Sequence, residues 1–258
     1  MKLIALLTDY GLSDHYVGVI KGVIKGISPE SEIVDITHEV RAYDIREGAF
    51  LLLQASKYLP RGCTVMAVVD PGVNTRRRAI AVETRERVYV GPDNGLLYPA
   101  ASREGITSVY DLGRGPHMLS RSGTFAGRDI FAPAAALVSS GKPPGKLGRK
   151  VRGLAVLELP GAEFSDTSIL GTVLHVDRFG NAVTNVEGDS FHHWRKRAST
   201  FRLVAHRRKV RASVAASYQA IRGVGLLVGS GGTVEVSGRQ GRPAIALSPG
   251  ESFSIEIE

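Results

Sequence analysis

The sequence predicts two domains, an α/β domain with a mostly parallel sheet at residues 1–160 and a smaller antiparallel β-barrel at 166–258. Three observations support this fold class. In the first half, short apolar runs that are typical of buried strands alternate with segments of helical periodicity. A cluster of Gly and Pro at 141–145 then interrupts the chain. Beyond residue 165, β-branched runs recur with turn signals between them, as in small barrels and sandwiches.

The elements of the first domain follow from periodicity and capping signals. The apolar run at 3–7 predicts the first buried strand, and apolar residues recurring on one face predict a helix at 14–27. Asp44 and Glu47 have the spacing of a capping box, which predicts that a second helix begins at Ile45. The remaining strands are predicted at 32–36, 64–69, 79–84 and 87–90, the last two as a hairpin, and a further helix at 128–140.

The second domain is predicted to be entirely β. Its β-branched runs have the length of strands and are separated by turn residues. They lie at 169–176, 182–186, 201–205, 210–214, 225–228, 233–236 and 252–257.

The composition excludes several classes of protein. Hydrophobic residues make up 43% of the 258 residues and charged residues 22%, which fits a globular protein rather than a disordered or collagen-like one. No apolar stretch approaches the ~20 residues of a membrane helix. The opening apolar run is too short for a signal peptide, and the single cysteine, Cys63, excludes an intrachain disulfide. We therefore expect a cytoplasmic location and no membrane partner.

The net charge of +8 raises the alternative of a nucleic-acid-binding protein. Basic residues cluster at 195–197, 202, 207–209 and 211. No zinc finger, RNA-recognition motif or helix-turn-helix pattern accompanies the cluster. A solvated face on β-structure is therefore the favoured interpretation, and a nucleic-acid partner is not expected.

Two carboxylates stand at strand ends, where open α/β sheets bind their ligands. Asp9 follows the first predicted strand and Asp70 the third, so both are expected to face one crevice. Arg77, seven residues after Asp70, can pair with it or bind an anion. Each Asp alone is more typical of a turn or a helix cap.

Other loops carry weaker signals. The loop 177–181 combines an acid, an aromatic ring and an amide, which suit an amine, a flat ring and a purine edge, although its spacing alone predicts a hairpin loop. The seven histidines are scattered without the spacing of a metal site. The sequence also lacks a phosphate-binding glycine loop with a lysine and a nucleophile elbow.

Taken together, these stretches resemble the S-adenosyl-L-methionine hydroxide adenosyltransferase family, which is related to fluorinase and chlorinase. The resemblance implies an α/β domain, a β-barrel and a homotrimer whose sites lie between the first domain of one subunit and the second domain of the next. The matching stretches are Thr8-Asp9-Tyr10-Gly11 with Asp14 and 16–18, Val69-Asp70-Pro71-Gly72-Val73 with Arg77, 91–95, 124–133, 177–185 and, more weakly, 229–236.

The resemblance also assigns a substrate and its contacts. S-adenosyl-L-methionine would be the substrate, with no other cofactor and no metal. A carboxylate suits the ribose diol because its two oxygens can accept from adjacent hydroxyls. The binding residues implied are Asp9 on that diol, Tyr43 against the sugar, Asp177 toward the methionine end, and Asn181, Ser230, Glu235 and the backbone of Gly238 around the adenosine.

The reaction implied is an in-line displacement at the ribose 5′ carbon, in which water or hydroxide replaces methionine. Asp70 and Arg77 match the family's catalytic Asp and Arg, and a tyrosine replaces that Asp in the halogenating relatives. Family hydrolases carry a catalytic His where this chain has Ala126. The expected function is therefore hydrolysis of S-adenosyl-L-methionine to adenosine and L-methionine at a reduced rate. The alternatives are a non-catalytic binder of that molecule or of adenosine, and the nucleic-acid-binding protein considered above.

Overall fold

The computed structural model describes residues 2–113, 115, 118–119, 124–196, 198–239 and 245–257. The chain divides into two compact units, Met1–Glu158 and Leu159–Glu258. Among the described residues, no helix has both the length and the apolar character that crossing a membrane requires.

In the described part of the first unit, seven strands form one sheet in the order β2-β1-β3-β5-β4-β6-β7. The first four of these strands run parallel, whereas β4, β6 and β7 join by antiparallel pairing. The α/β class is confirmed, and the antiparallel part grows from the predicted hairpin of β4 and β5. The strands are β1 (Leu3–Thr8), β2 (Glu32–Thr37), β3 (Thr64–Val68), β4 (Ala79–Thr84), β5 (Val88–Pro92), β6 (Ile106–Asp111) and β7 (Arg149–Val151).

Helices cover both faces of this sheet because the side chains of β1 alternate between two cores. Ile4 and Leu6 pack with Ile20 and Ile24 of the first helix, while Ala5 and Leu7 lie in the opposite core. The Asp44 cap forms as predicted, its Oδ1 accepting from the Glu47 N–H at 2.9 Å. The helices are α1 (Tyr16–Ile27), α2 (Ile45–Ser56), α3 (Tyr98–Glu104) and α4 (Ala132–Ser139), the last preceded by a π-helical turn at Gly127–Phe131.

The second unit is a closed barrel of seven of its described strands, in the order β10-β14-β13-β12-β11-β15-β9, with β9 pairing back to β10 and the short β8 added to β9. All seven predicted runs lie within observed strands. They are β8 (Glu163–Phe164), β9 (Ser168–Val176), β10 (Ala182–Glu187), β11 (Thr200–Ala205), β12 (Arg208–Val214), β13 (Val224–Val228), β14 (Thr233–Gly238) and β15 (Ser252–Ile257), and a helix α5 (Gly188–Arg195) follows β10.

The barrel departs from the predicted antiparallel pattern at one described pairing, because β12 and β13 run parallel. Residues 215–223 cross from the end of one strand to the start of the other instead of making a tight hairpin, and parallel neighbours need such a crossover.

The basic cluster lies on the outside of the barrel. Exposed Arg202 alternates with the fully buried Phe201 and Leu203 along β11, as a strand with one solvated face requires. Acidic neighbours accompany these charges, since Arg202 is opposite Glu256 and Lys209 Nζ lies 3.8 Å from a Glu256 carboxylate oxygen. Residue 197 of the cluster lies outside the described residues. The alternation explains Arg202 as part of a solvated β-face, whereas Arg195 and Lys196 lie at the end of helix α5, so the predicted β-face is wrong for that part of the cluster.

Candidate functional site

A cavity of about 330 Å³ lies in the first unit where β1 and β3 end. These strands pair in parallel, with Thr8 opposite Val68, so the residues that follow them meet at one edge of the sheet. Asp9 and Asp70 both line the cavity. The structure therefore brings together the two carboxylates that the sequence places at strand ends.

Asp70 is held by Arg77 in a nearly buried ion pair. Arg77 Nε donates to both carboxylate oxygens of Asp70, at 2.9 and 3.0 Å, and Nη2 makes a further short contact with Oδ2. The Asp70 side chain is 7% exposed and the Arg77 side chain 13% exposed. Arg77 lines a second cavity of about 280 Å³ next to this pair. Arg77 therefore affects the first cavity by holding Asp70, which lines it. The remaining lone pairs of Asp70 can accept hydrogen bonds from a bound molecule.

Asp9 is joined to the rim residue Tyr43. Its Oδ2 accepts from the Tyr43 backbone N–H at 2.9 Å. Burial raises the pKa of Asp9, partly offset by that hydrogen bond, and nearby Asp70 raises it further. Tyr43 has a φ of +68°, which is strained for an aromatic residue, and its side chain is 71% exposed. The cavity rim therefore holds a strained residue whose ring is open to a ligand or a partner.

Aromatic rings form much of the cavity wall. Phe125 packs edge-on against Tyr10 and Tyr16, with ring centroids 5.6 and 5.2 Å apart. Burial and the Asp9 charge raise the pKa of Tyr10, so its hydroxyl stays protonated. Gly127 has no room for a Cβ, which would overlap that hydroxyl. Sequence reasoning gave these aromatic residues no role, although the quoted stretches contain all three.

Ala126 lies at the junction of the two cavities. It is 4% exposed, lines both of them, and immediately precedes the π-helical turn. Asp70 and Ala126 line the first cavity, and Arg77 is hydrogen-bonded to Asp70. Because the side chain of Ala126 is only a methyl group, the cavity that it shares with Asp70 has room for water or for a larger side chain at this position.

In the second unit, Asp177 organises the loop between β9 and β10. Its Oδ1 accepts from the backbone N–H groups of Phe179 and Asn181, at 2.9 and 2.8 Å. Its Oδ2 accepts from Asn181 Nδ2 at 2.8 Å. The loop is thus the hairpin connection that its spacing predicts. The same contacts fix the side chains of Asp177 and Asn181, two of the binding residues that the family resemblance implies.

Glu235 forms a second polar cluster in the barrel. Its Oε2 accepts from the Tyr218 hydroxyl at 2.7 Å, and Gly229 packs so closely on this carboxylate that a side chain there would overlap it. Burial raises the pKa of Glu235 and raises that of Tyr218 to about 12. The negative charge of Asp177 raises both pKa values as well. The sequence carried no signal for Tyr218.

Ser230 and Gly238 lie apart within the barrel. Ser230 is exposed in the turn before β14, whereas buried Gly238 ends that strand opposite Val224. The length of β14 separates them by about 17 Å, at roughly 3.3 Å per residue. One small ligand group cannot contact both positions. Among the described residues, no three His, Cys, Asp or Glu side chains are grouped to hold a metal ion.

Comparisons with known proteins match nearly the whole length of the chain. The SAM hydroxide adenosyltransferase N-terminal domain matches residues 4–148, and the C-terminal domain of that name matches residues 171–252. A Salinispora arenicola protein named (R)-S-adenosyl-L-methionine hydrolase is 37% identical over 260 residues, which cover 98% of this chain and 97% of that protein.

Two further relatives place this similarity in context. A fluorinase from Actinopolyspora mzabensis is 26% identical over 216 residues, covering 73% of this chain and 72% of the fluorinase. The crystal structure of an uncharacterized conserved protein from Thermotoga maritima superimposes with a TM-score of 0.91 at 34% identity, covering 98% of this chain and 99% of that one.

Proposed function

The chain belongs to the S-adenosyl-L-methionine hydroxide adenosyltransferase family, as its motifs predict, and we propose that it hydrolyses S-adenosyl-L-methionine to adenosine and L-methionine. The observation that carries this proposal is the buried Asp70–Arg77 pair facing the cavity that Asp9 shares. It supplies a fixed acceptor for a nucleophilic water beside a second carboxylate suited to a ribose.

The reaction balances without a cofactor. The water oxygen forms a bond to the ribose 5′ carbon, and the bond from that carbon to sulfur breaks. The electron pair of the broken bond neutralises the sulfonium and leaves methionine as a thioether, while one proton is released. A cation and a hydroxide-like nucleophile lose their charges in this step, so a water-poor cavity favours it.

Asp9 binds the ribose in this proposal. Two adjacent hydroxyls donate to its carboxylate, whose roughly four acceptor positions leave room for the Tyr43 N–H as well. Tyr43 then lies against the sugar. The rings of Tyr10, Tyr16 and Phe125 offer apolar surface and π faces, which suit a sulfonium or a purine.

Asp70 positions the attacking water and accepts its hydrogen bond. Arg77 holds Asp70 in one orientation and favours the hydroxide form electrostatically. Ala126 provides no proton-transfer group next to this pair. The hydrolysis is therefore slow in the chain as written, with ligand binding preserved.

The binding set continues on the barrel of a neighbouring subunit in a homotrimer. There Asp177 faces the methionine ammonium, and Asn181, Ser230, Glu235 and the Gly238 backbone surround adenosine at separate points. Sedimentation should give a trimer. Asp70→Asn alone should be inactive and Asn181→Ala alone should bind the substrate more weakly, so mixing the two subunits should give some active sites with the native affinity. Verified mixed trimers in which every active site keeps the weakened affinity of Asn181→Ala contradict shared sites.

The proposal also covers the substrate, the partners and the location of the protein. S-adenosyl-L-methionine is the substrate, and no cofactor, metal, membrane or nucleic-acid partner is proposed. A cytoplasmic location stays a prediction from the sequence.

Incubation with each sulfonium epimer of S-adenosyl-L-methionine, followed by chromatography, tests the proposal. Adenosine and methionine should appear in equal amounts, the (R) epimer being included because the Salinispora arenicola relative is named for it. A 5′-halogenated product at high halide would contradict water as the nucleophile. The non-catalytic alternative rests on Ala126, and it predicts calorimetric binding without any turnover, even after Ala126→His.

A further inference from the structure

A chain of polar contacts links the turn that carries Asp9 to the neighbouring strand β2. Thr8, fully buried at the end of β1, has its Oγ1 2.8 Å from His38 Nδ1. The opposite ring nitrogen, Nε2, lies 3.1 Å from Asp35 Oδ1. His38 is itself almost completely buried, with a side chain that is 2% exposed. A buried imidazole therefore lies between the Asp9 turn and an outer carboxylate.

Backbone hydrogen bonds tie His38 to the same turn on the other side of Asp9. The Gly11 N–H donates to the His38 carbonyl at 2.7 Å, and the Tyr10 N–H donates to Thr8 Oγ1 at 3.3 Å. Asp9 is thus bracketed by groups that His38 contacts directly or through Thr8. The Asp9 carboxylate itself accepts from the Tyr43 N–H at 2.9 Å.

The groups around His38 determine which of its ring nitrogens carries the proton. The carboxylate of Asp35 favours a proton on Nε2, which makes Nδ1 an acceptor for the Thr8 hydroxyl. The Thr8 oxygen then keeps a lone pair for the Tyr10 N–H. The outer end is fixed by Lys21, whose Nζ lies 2.6 Å from Asp35 Oδ2. The approach of Nε2 to Asp35 lacks hydrogen-bond geometry, so that contact is electrostatic. The turn is held by the hydrogen bonds of Thr8, Tyr10 and Gly11.

We propose that His38 is a positioning residue that holds the Asp9 carboxylate in register with two adjacent hydroxyls and so sets the preference for ribose over 2′-deoxyribose. This inference rests on the proposed function, in which Asp9 binds the ribose diol. Accepting from two neighbouring hydroxyls requires the carboxylate to be placed within about 0.5 Å and 10–20°. A turn released from His38 can still bind one hydroxyl but loses the geometry for the pair.

Calorimetric binding of adenosine and of 2′-deoxyadenosine tests the proposal through their affinity ratio. The native chain should prefer adenosine by about 10- to 100-fold, the range of one hydrogen bond to a charged acceptor. His38→Ala should reduce that ratio to within about threefold of unity, the range expected once the second hydrogen bond is lost. His38→Asn should retain most of it, because its amide oxygen can accept from Thr8.

Thr8→Val, which removes the hydroxyl at nearly constant shape, should reproduce the His38→Ala result if the latter folds poorly. Ser31→Ala is the matched control, since it breaks buried serine contacts at the other end of the sheet, at 2.7 and 2.8 Å. It should lower the melting temperature and leave the ratio unchanged.

The outcomes separate this inference from the proposed function. A native preference that Asp9→Asn abolishes and His38→Ala or Thr8→Val abolishes too supports the positioning role. If Asp9→Asn abolishes the preference but both His38→Ala and Thr8→Val retain it, the positioning role of His38 is overturned and the proposed function is left intact. Equal or absent binding of the two nucleosides by the native chain contradicts the role of Asp9 and, with it, this inference.

Discussion

The two units hold their candidate residues by different means. In the first unit, Asp9 and Asp70 are 61 positions apart in the sequence, and the parallel pairing of β1 with β3 brings them to one cavity. In the second unit, Asp177 and Asn181 contact each other within a single hairpin loop. A site assembled by topology can be deduced from strand order, whereas a local loop looks the same whether it binds a ligand or only turns the chain.

The electrostatics differ in the same way. Asp70 is paired with the cationic Arg77, and its carboxylate lines a cavity where it can accept further hydrogen bonds. Glu235 has a neutral partner, the Tyr218 hydroxyl, and burial raises its pKa. We infer that the first unit supplies the reacting groups and the second supplies binding contacts. The predictions below test that division, from the largest expected effect to the smallest.

Asp70→Asn should lower the turnover of S-adenosyl-L-methionine by about 10⁴, the upper end for one general acid-base group, because it also releases Arg77. Asp93→Asn is the matched control. Asp93 is equally buried, 7% exposed, pairs with Arg78 at 2.5 Å, and follows β5, the strand that pairs in parallel with β3. Both variants should lose stability, and a comparable loss of turnover in the control would contradict the assignment.

Ala126→His should raise turnover by about 10²–10⁴ with similar affinity, since it adds a proton-transfer group beside Asp70. The two adjoining cavities, about 330 and 280 Å³, give the ring room. Ala126→Phe fills similar space without a titratable nitrogen and should bring no increase. Single-turnover kinetics with calorimetry separates rate from binding. Equal rates for the two variants would show that the ring nitrogen plays no part.

Asp9→Ala should weaken adenosine binding by about 1.5–3 kcal/mol, the range for hydrogen bonds to a charged group. Barrel variants such as Asn181→Ala should lose less, about 0.5–1.5 kcal/mol, because a neutral hydrogen bond is removed. Isothermal titration measures both. Unchanged affinity in Asp9→Ala would refute the ribose assignment and remove the functional distinction between the two units.

Glu235→Gln should have the smallest effect, a pH-dependent gain in stability. The pKa of Glu235 is raised in the folded chain above its ordinary value of 4.5, so the folded state binds the proton more tightly than the unfolded state. The associated stability is present at low pH and is lost as pH rises through the folded pKa. The variant lacks this loss, so melting curves should favour it increasingly as pH rises from 4 to about 7. A constant difference would contradict the raised pKa.

Much of the fold could be predicted because its elements have strong local signals. The buried runs of β1 and β3 and the Asp44 cap of α2 lie where periodicity and spacing put them. The short helices α3 and α5, at 7 and 8 residues, give weak periodic signals and were not predicted. The parallel pairing of β12 and β13 depends on a crossover, which local propensity does not report.

The candidate site likewise has features that the sequence predicts and features that depend on side-chain packing. Strand ends predict that Asp9 and Asp70 meet, because parallel topology is encoded in the alternation of strands and helices. That Arg77 reaches the cavity through Asp70, and that Tyr218 contacts Glu235, depends on side-chain packing between distant segments. The left-handed φ of Tyr43 likewise follows from its contact with Asp9 rather than from its residue type.

Hydrolysis in water enriched in oxygen-18 tests the central claim most directly. If water attacks the ribose 5′ carbon, mass spectrometry should find one labelled oxygen in adenosine, on the 5′ hydroxyl, and none in methionine. Ala126→His should give the same labelling at a higher rate. Unlabelled adenosine, label in methionine, or 5′-methylthioadenosine as the product would contradict the proposed displacement.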